Sequence, residues 1–456
     1  MVKDMTEGNP TRLLLSFAVP MLIGNIFQQL YSMVDSIVIG QGVGVDALAA
    51  VGATFALDWA ILGFGIGLTQ GFAILIAQKF GAQDYRGLKK AFTMSVFLTA
   101  GVAIVITILS RLFSMPVLRL LNTPSDIIDN SNLYISIIFS GIIITMFYNL
   151  LAATLRALGD SRTPLIALVI SCIINILLDL LFVIKFSMGI AGAAYATLIA
   201  QAFSGLFCIR AIRKIDFLKV TGQDWKPKKN FLNRLIVLGL PMALQNSIIS
   251  VGAMVLQYVV NGYGAVYVAA YTAAVKINGL IEQPGVTFGF AMGTYAGQNL
   301  GAGKFDRIRL GLKKCIALSM VFCISITIII LMFGEQFIGL IVSQDEVEVI
   351  NIANHYLRIT ISMLSVLNLL FIYRSALQGF GNTIVPMISG GLELVARISL
   401  ASILPKFLGF TGIAIAEISE WISADLILIP SYYRTINKLE NRHYKELNKE
   451  VNYTKV

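Results

Sequence analysis

Asp35 is the only carboxylate in the run from Leu13 to Ile39, where the sole other ionisable side chain is the Tyr31 phenol. Asn175 and Asp179 sit in a second apolar run four residues apart, a spacing that sets both on one face of a helix. An ionisable group inside a membrane helix costs roughly 2.5–3.5 kcal/mol on insertion scales and ordinarily faces a cavity or a partner. The chemistry open to these groups is reversible cation binding. Two carboxylates close together in a low-dielectric pocket repel, so at least one should hold a proton at neutral pH. Oxygen atoms around them could instead hold a Na+, and the residues alone leave both ions open. A purely structural reading also exists, in which a carboxylate hydrogen-bonded to Gln28, Tyr31 or Asn175 pins helices together.

The elements that must position these groups follow from composition. The chain of 456 residues is 57% hydrophobic and 13% charged, against roughly 25% charged in soluble domains. Apolar segments long enough to cross about 30 Å of hydrocarbon recur along nearly its whole length. A lipid-facing backbone must satisfy its own hydrogen bonds and these segments are too long for barrel strands, so the expected fold is an all-α integral membrane protein. Spans are expected near 13–39, 48–78, 91–112, 130–154, 163–184, 189–211, 232–260, 266–297, 312–333, 349–373, 384–404 and 410–433, twelve in all. The opening MVKDMTEGNP is polar and has no short apolar core with a cleavage site, so no cleaved signal peptide is expected.

The net charge of +10 is distributed unevenly. With both termini cytoplasmic, the loops on that side include KFGAQDYRGLKK from Lys79, the 210–234 linker and KFDRIRLGLKK from Lys304. The other side has Arg111, Arg119, Lys185, Lys406 and a 334–349 loop without Lys or Arg. This positive-inside pattern accounts for the charge without nucleic acid as a partner and points to the cell inner (cytoplasmic) membrane. Cys172, Cys208, Cys315 and Cys323 lack metal or redox spacing and read as small core residues. The string GQNLGAGKF from Gly297 lacks the phosphate-loop spacing and follows a membrane helix rather than a strand, which excludes an ATPase.

The chain repeats itself. FAVPMLIGN (Phe17 to Asn25) aligns with LGLPMALQN (Leu238 to Asn246), IAQKFGAQ (Ile76 to Gln83) with AGQNLGAG (Ala296 to Gly303), and RALGDSRTP (Arg156 to Pro164) with QGFGNTIVP (Gln378 to Pro386), at an offset of 220–222 residues. Two six-helix bundles therefore run in the same orientation, related by a pseudo-two-fold axis along the membrane normal, a transporter architecture with sites near mid-membrane. The expected organisation is an N-terminal bundle over 1–211, a cytoplasmic linker over 212–231, a C-terminal bundle over 232–433 and a polar cytoplasmic tail over 434–456. Aligning the halves puts Leu256 opposite Asp35 and Ala401 opposite Asp179, so the acidic pair belongs to one half alone, which favours a functional role. The series Gly285, Gly289, Gly293, Gly297 and Gly301 marks close helix approach.

These features resemble the multidrug and toxic compound extrusion transporters. The likeness covers essentially the whole chain and rests on the AVP and GLP openings ending at Pro20 and Pro241, VDSIVIG from Val34, LRALGDSRTP from Leu155 and NILLDLLF from Asn175. It implies a cation-coupling site at Asp35, Asn149, Asn175, Asp179 and Thr197. A second acidic site on the seventh and tenth helices is part of that family's pattern, but this chain has Ser247–Ile249 and Asn368 there. The implied activity is secondary antiport by alternating access, exporting lipophilic and mostly cationic compounds in exchange for H+ or Na+. No cofactor is expected beyond that ion, and no metal site beyond a Na+ at the same residues. Membrane lipid is the expected surrounding partner, and a monomer the expected state.

Gln28, Gln29, Gln70, Tyr148 and Glu282 are candidates for lining the substrate pocket. The C-terminal half adds Lys276, Glu393 and Arg397 as a possible charge network, with Glu417, Glu420 and Asp425 on the last helix. Glu393 and Arg397 are four apart and placed to pair. These charges could be structural, or could bind substrate or a second coupling ion. A flippase for lipid-linked oligosaccharide is the nearest alternative. Its phosphate-bearing cargo would need a cavity rich in Arg and Lys, whereas basic residues within the spans are few. An embedded enzyme would need a nucleophile–base or metal constellation, and the sequence offers none.

Overall fold

Lipid offers a backbone no hydrogen-bond partner, and in the computed structural model of this protein 86% of the chain is helical. The structure describes residues 2–121, 123–343 and 345–453, and no strand occurs among them. In chain order, α1 spans Pro10–Gly42, α2 Val45–Gly81, α3 Tyr85–Leu120, α4 Ile128–Ser140, α5 Ile142–Ala157, α6 Arg162–Asp179, α7 Gly189–Arg213 and α8 Lys229–Asn261. They are followed by α9 Ala265–Ile281, α10 Gln283–Gly301, α11 Phe305–Gly339, α12 Val347–Ser362, α13 Leu364–Gly379, α14 Ile384–Ile403, α15 Pro405–Leu408 and α16 Thr411–Tyr453.

Among the described residues, eight helices are individually long and apolar enough to cross a membrane, and two bent pairs bring the number to ten; α9–α10 and α16 complete a twelve-span layout. The pair α4–α5 bends by 49° at Gly141 and the pair α12–α13 by 50° at Met363. Those two positions are separated by the repeat offset, so the duplicated halves share a mechanical feature that their sequences at the break do not. The expected single span over 266–297 is instead two helices, because Pro284 cannot continue a helix from the N-terminal side but suits the first turn of a new one. Its counterpart in the first half, α2, lacks a proline and is continuous. Helix α16 runs on through the polar tail as far as Tyr453.

The chain packs as two units. One comprises Val19–Ile76 and Asp84–Ser250 together with the residues before Asp4; the other comprises Asp4–Ala18, Ala77–Gln83 and the chain from Val251. The division falls inside α1, next to Pro20, which removes an intrahelical hydrogen bond there. In the first unit, α2 lies directly on α8. A Cβ at Gly67 would meet the Met242 carbonyl at 2.5 Å, and one at Gly71 the Leu238 carbonyl at 2.7 Å. The second unit uses the same device. Gly289 and Gly293 of α10 bring it onto α13, where a Cβ would lie 2.9 Å from the Phe371 carbonyl and 3.1 Å from that of Ser375.

The residues ahead of α1 are held in a polar socket of the second unit. Met5 is fully buried, its N–H donating to Gln298 Oε1 (2.8 Å) and its carbonyl accepting from Asn299 Nδ2 (3.1 Å). Lys304 Nζ donates to the Thr6 carbonyl (3.0 Å), and Arg307 donates twice to that of Gly8 (3.1 Å each).

Candidate functional site

Within the first unit, α1, α6 and α7 bring four sequence-picked residues together. Asn175 and Asp179 occupy one face at the end of α6, and Asp179 is its last residue before a π-helical turn over Leu180–Lys185. Such wide turns re-aim side chains and recur at functional positions. Both side chains are buried, at 1% and 0% exposure.

The Asn175 amide is the hub. With its NH2 directed at the only acceptors in reach, it donates to Tyr31 Oη (3.1 Å) and Asp179 Oδ2 (2.8 Å), while its carbonyl accepts from the Thr197 backbone N–H (3.0 Å). The remaining directions follow. Tyr31 donates to Thr197 Oγ1 across 3.5 Å, and Thr197 donates on to the Ala193 carbonyl at 3.1 Å. This chain of donors uses every polar atom of Asn175 and Tyr31.

Two oxygens are left over. Oδ1 of Asp35 and Oδ1 of Asp179 are buried and have no hydrogen-bond partner, and the two carboxyl groups lie within hydrogen-bonding reach of one another. Along α1, Val34, Val38 and Ile39 flank Asp35 and belong to or pack against an apolar cluster with Ala47, Val183, Ile190 and Ala193, to which Tyr134 is also packed. Two buried carboxylates this close repel, and a proton between them or a cation bound to both would relieve that repulsion. The oxygens a cation could meet here are those of Asp35 and Asp179, together with the Asn175 carbonyl and the Thr197 hydroxyl, each of which keeps a lone pair beyond its hydrogen bonds.

The other sequence candidates lie outside this cluster. Asn149 on α5 donates to the Thr145 carbonyl of its own helix (2.9 Å) rather than to either carboxylate. Gln28 and Gln29 are exposed on α1, while Gln70 on α2 and Tyr148 on α5 are half-buried in the same unit. Glu282 belongs to the second unit, at the break between α9 and α10.

The charge network of that unit differs from expectation. Glu393 does not pair with Arg397, its neighbour one turn along α14. It is bonded to Arg374 of α13, and Arg397 makes a two-pronged pair with Glu420 of α16. Each buried guanidinium needs its own carboxylate, and the crossed pairing supplies both where an intrahelical pair would strand Arg374 and Glu420. Lys276 is exposed on α9 and takes no part in these pairs. The Tyr356 hydroxyl donates to Glu417.

Sequence reasoning passed over Asp58 of α2, which has a buried Oδ1 without a partner. The signal that singled out Asp35, a carboxylate deep in an apolar run, applies equally to Asp58. Arg374 was overlooked because its partner lies on another helix.

A duplicated, helix-only membrane scaffold with a buried carboxylate pair in one unit defines a polytopic transporter. The sequence model of the MatE family matches residues 20–181 and again 241–403, once per half. The chain therefore belongs to the MatE family. It is 31% identical over 346 residues to the "Probable multidrug resistance protein YpnP" of Bacillus subtilis (strain 168), covering 75% of this chain and 77% of that one. It is 26% identical over 424 residues to the "Probable multidrug resistance protein NorM" of Thermotoga maritima, covering 90% and 89%. Among solved structures, "Crystal structure of MATE in complex with MaL6" superposes with a TM-score of 0.90 at 24% identity, over 96% of this chain and 99% of that one. At that identity the likeness speaks for the fold. The protein is a multi-pass membrane protein of a multidrug efflux transporter family.

Proposed function

We propose that the chain is a secondary active multidrug antiporter that exports lipophilic, mostly cationic compounds in exchange for protons by alternating access. In this reading it sits in the cytoplasmic membrane with both termini inside. The observation that carries the proposal is that the Asp35 and Asp179 carboxyls lie within hydrogen-bonding reach of one another and each keeps a buried oxygen without a partner. With one proton the pair is a monoanion, and a second proton entering from outside neutralises it. Neutralisation removes the repulsion between α1 and α6 and the demand for a counter-charge, so the two helices can repack around Pro20. Proton loss to the cytoplasm restores a negative site that suits a cationic cargo. A pH gradient supplies about 1.4 kcal/mol per unit, and each charge crossing 100 mV about 2.3 kcal/mol.

The test is export of a cationic dye by the purified protein in proteoliposomes under separately imposed pH and Na+ gradients. A pH gradient should drive export of the wild type, and Asp35→Asn and Asp179→Asn should each reduce uphill transport to simple equilibration. Export driven by Na+ alone would overturn the proton reading. Wild-type rates in both variants would remove the site itself.

A further inference from the structure

The connector between α7 and α8 is laid across the start of α3, within the first unit. The Lys90 ammonium has three donors and spends all of them on connector carbonyls, those of Gln223 (3.3 Å), Asp224 (3.0 Å) and Lys226 (2.5 Å). Thr93 Oγ1 donates to the Asp224 carbonyl (2.8 Å), and the Lys228 N–H donates to Met94 Sδ (3.5 Å). This clasp sets Trp225 edge-on against Phe97, with ring centroids 5.6 Å apart, and the two residues stay 37% and 43% exposed. Phe97 lies roughly 10 Å along α3 from Lys90, inside the apolar run that begins at Ala91. Beside this ring pair, Lys226, Lys228 and Lys229 are all exposed. The acids of the connector are already committed: Asp216 pairs with Lys219 (2.6 Å), and Asp224 accepts from the Thr221 N–H (2.7 Å) and hydroxyl (2.9 Å). The three lysines therefore have no carboxylate partner among the described residues, and the Lys228 ammonium stands 5.6 Å over the Phe231 ring.

We propose that this clasp binds an anionic phospholipid, its headgroup phosphate meeting Lys226, Lys228 and Lys229 and an acyl chain lying along Trp225 and Phe97. Charge complementarity selects the anion, since a lysine at a juxtamembrane position is worth about fivefold in affinity for an anionic surface. The exposed ring pair selects a lipid over a free phosphate, which has nothing to set against apolar rings. Tryptophan at the headgroup level is an ordinary interfacial anchor. A positive-inside bias asks only for basic residues on one side of the membrane, not for their being held together. Here the three carbonyls gathered on Lys90 hold the connector to α3, so the site is formed before the lipid arrives and little ordering entropy is lost on binding. None of the residues assigned to antiport takes part, so this site stands independently of that reading.

Quenching of Trp225 fluorescence by bromine on lipid acyl chains reads the site in nanodiscs holding the full-length protein. Two series of discs contain phosphatidylcholine with the same minor fraction of phosphatidylglycerol. In one the phosphatidylglycerol is brominated; in the other an equal amount of the phosphatidylcholine is. Subtracting the signal of Trp225→Phe, which keeps a ring against Phe97, separates this residue from Trp59 and Trp421. Brominated phosphatidylglycerol should quench at least about threefold more strongly than brominated phosphatidylcholine, and Lys226→Gln/Lys228→Gln/Lys229→Gln, a change of exposed side chains only, should bring the two series level. Equal quenching in the wild type would overturn the proposal, leaving an interfacial anchor without headgroup preference. Absence of quenching by either lipid would overturn it by removing Trp225 from the acyl chains. A preference that survives in the triple variant would refute the lysine site, and one abolished by excess inorganic phosphate would show a site for free anions instead of lipid.

Discussion

Replacing Arg397 with Leu should destabilise the protein in a pH-dependent way, and the size follows from Glu420. That carboxylate is 1% exposed and receives both of its close contacts from the Arg397 guanidinium. Removing one partner of a buried ion pair costs roughly 3–5 kcal/mol because the other charge is stranded. Glu420 can escape by binding a proton. In the unfolded chain a glutamate titrates near 4.3, so holding it protonated in the folded variant costs roughly 3.5–4 kcal/mol at pH 7 but only about 1 kcal/mol at pH 5. The folded variant then binds more protons than its unfolded state, so its stability falls as pH rises above about 4.3. Thermal melts of the detergent-solubilised protein between pH 5 and pH 8 should show the variant approaching wild type at the acid end and diverging at the alkaline end. The double variant Arg397→Leu/Glu420→Leu should recover most of the loss and flatten its pH dependence. A deficit independent of pH, or a double variant as weak as the single, would refute the reasoning.

Three further outcomes follow from the packing. Asn175→Leu removes the three hydrogen bonds that organise the acidic site and should cost about 2–4 kcal/mol of stability at roughly 1 kcal/mol each, with dye export falling at least about tenfold; export at the wild-type rate would mean that the amide hub is dispensable. Arg307→Ala releases the Gly8 carbonyl and one contact to Asn299, so trypsin should cut after Lys3 faster than in the wild type, and an equal rate would show that the socket holds without it. Gly71→Ala forces a methyl into the backbone of α8 and should cost about 1–3 kcal/mol, whereas Gly101→Ala, with no atom within 4 Å of the added Cβ, should be neutral or slightly stabilising in the same melt.

Hydropathy made the crossings legible because membrane insertion depends on local sequence, and so does the i,i+4 relation of Asn175 to Asp179. The break after Ile281 was also locally written, in the Gln283–Pro284 pair, but was absorbed into one long apolar run. The bends at Gly141 and Met363 were not legible. Neither site contains proline, and the two share their geometry through packing in each duplicated half. The same division runs through the charges. Asp35 and Asp179 come together as their apolar surroundings suggested, since a lone carboxylate in a span has few places to go. Glu393 and Arg397 had a plausible local pairing, and it loses to partners on α13 and α16 whose approach no local spacing records.

The two halves answer the same electrostatic problem differently, and that difference bears on how transport could be coupled. In the first unit the acidic pair faces tyrosines, amides and hydroxyls, so its charge changes by a whole unit when one small cation arrives. In the second, Arg374 and Arg397 each hold one buried carboxylate, Glu393 and Glu420, and tie α13 to α14 and α14 to α16. A charge without a fixed counter-ion alters helix packing when neutralised, whereas a charge inside a two-pronged pair does not. With bends of 49° and 50° at equivalent places in both halves, the mechanical plan is duplicated while the titrating groups are distributed unequally. Coupling through the first unit therefore requires that installing a guanidinium beside Asp35, as in Val34→Arg, lock the protein against a pH gradient even if dye still binds. Dye binding without pH-driven export is the expected phenotype, and undiminished export would show that neutralisation of the pair is not the coupling step.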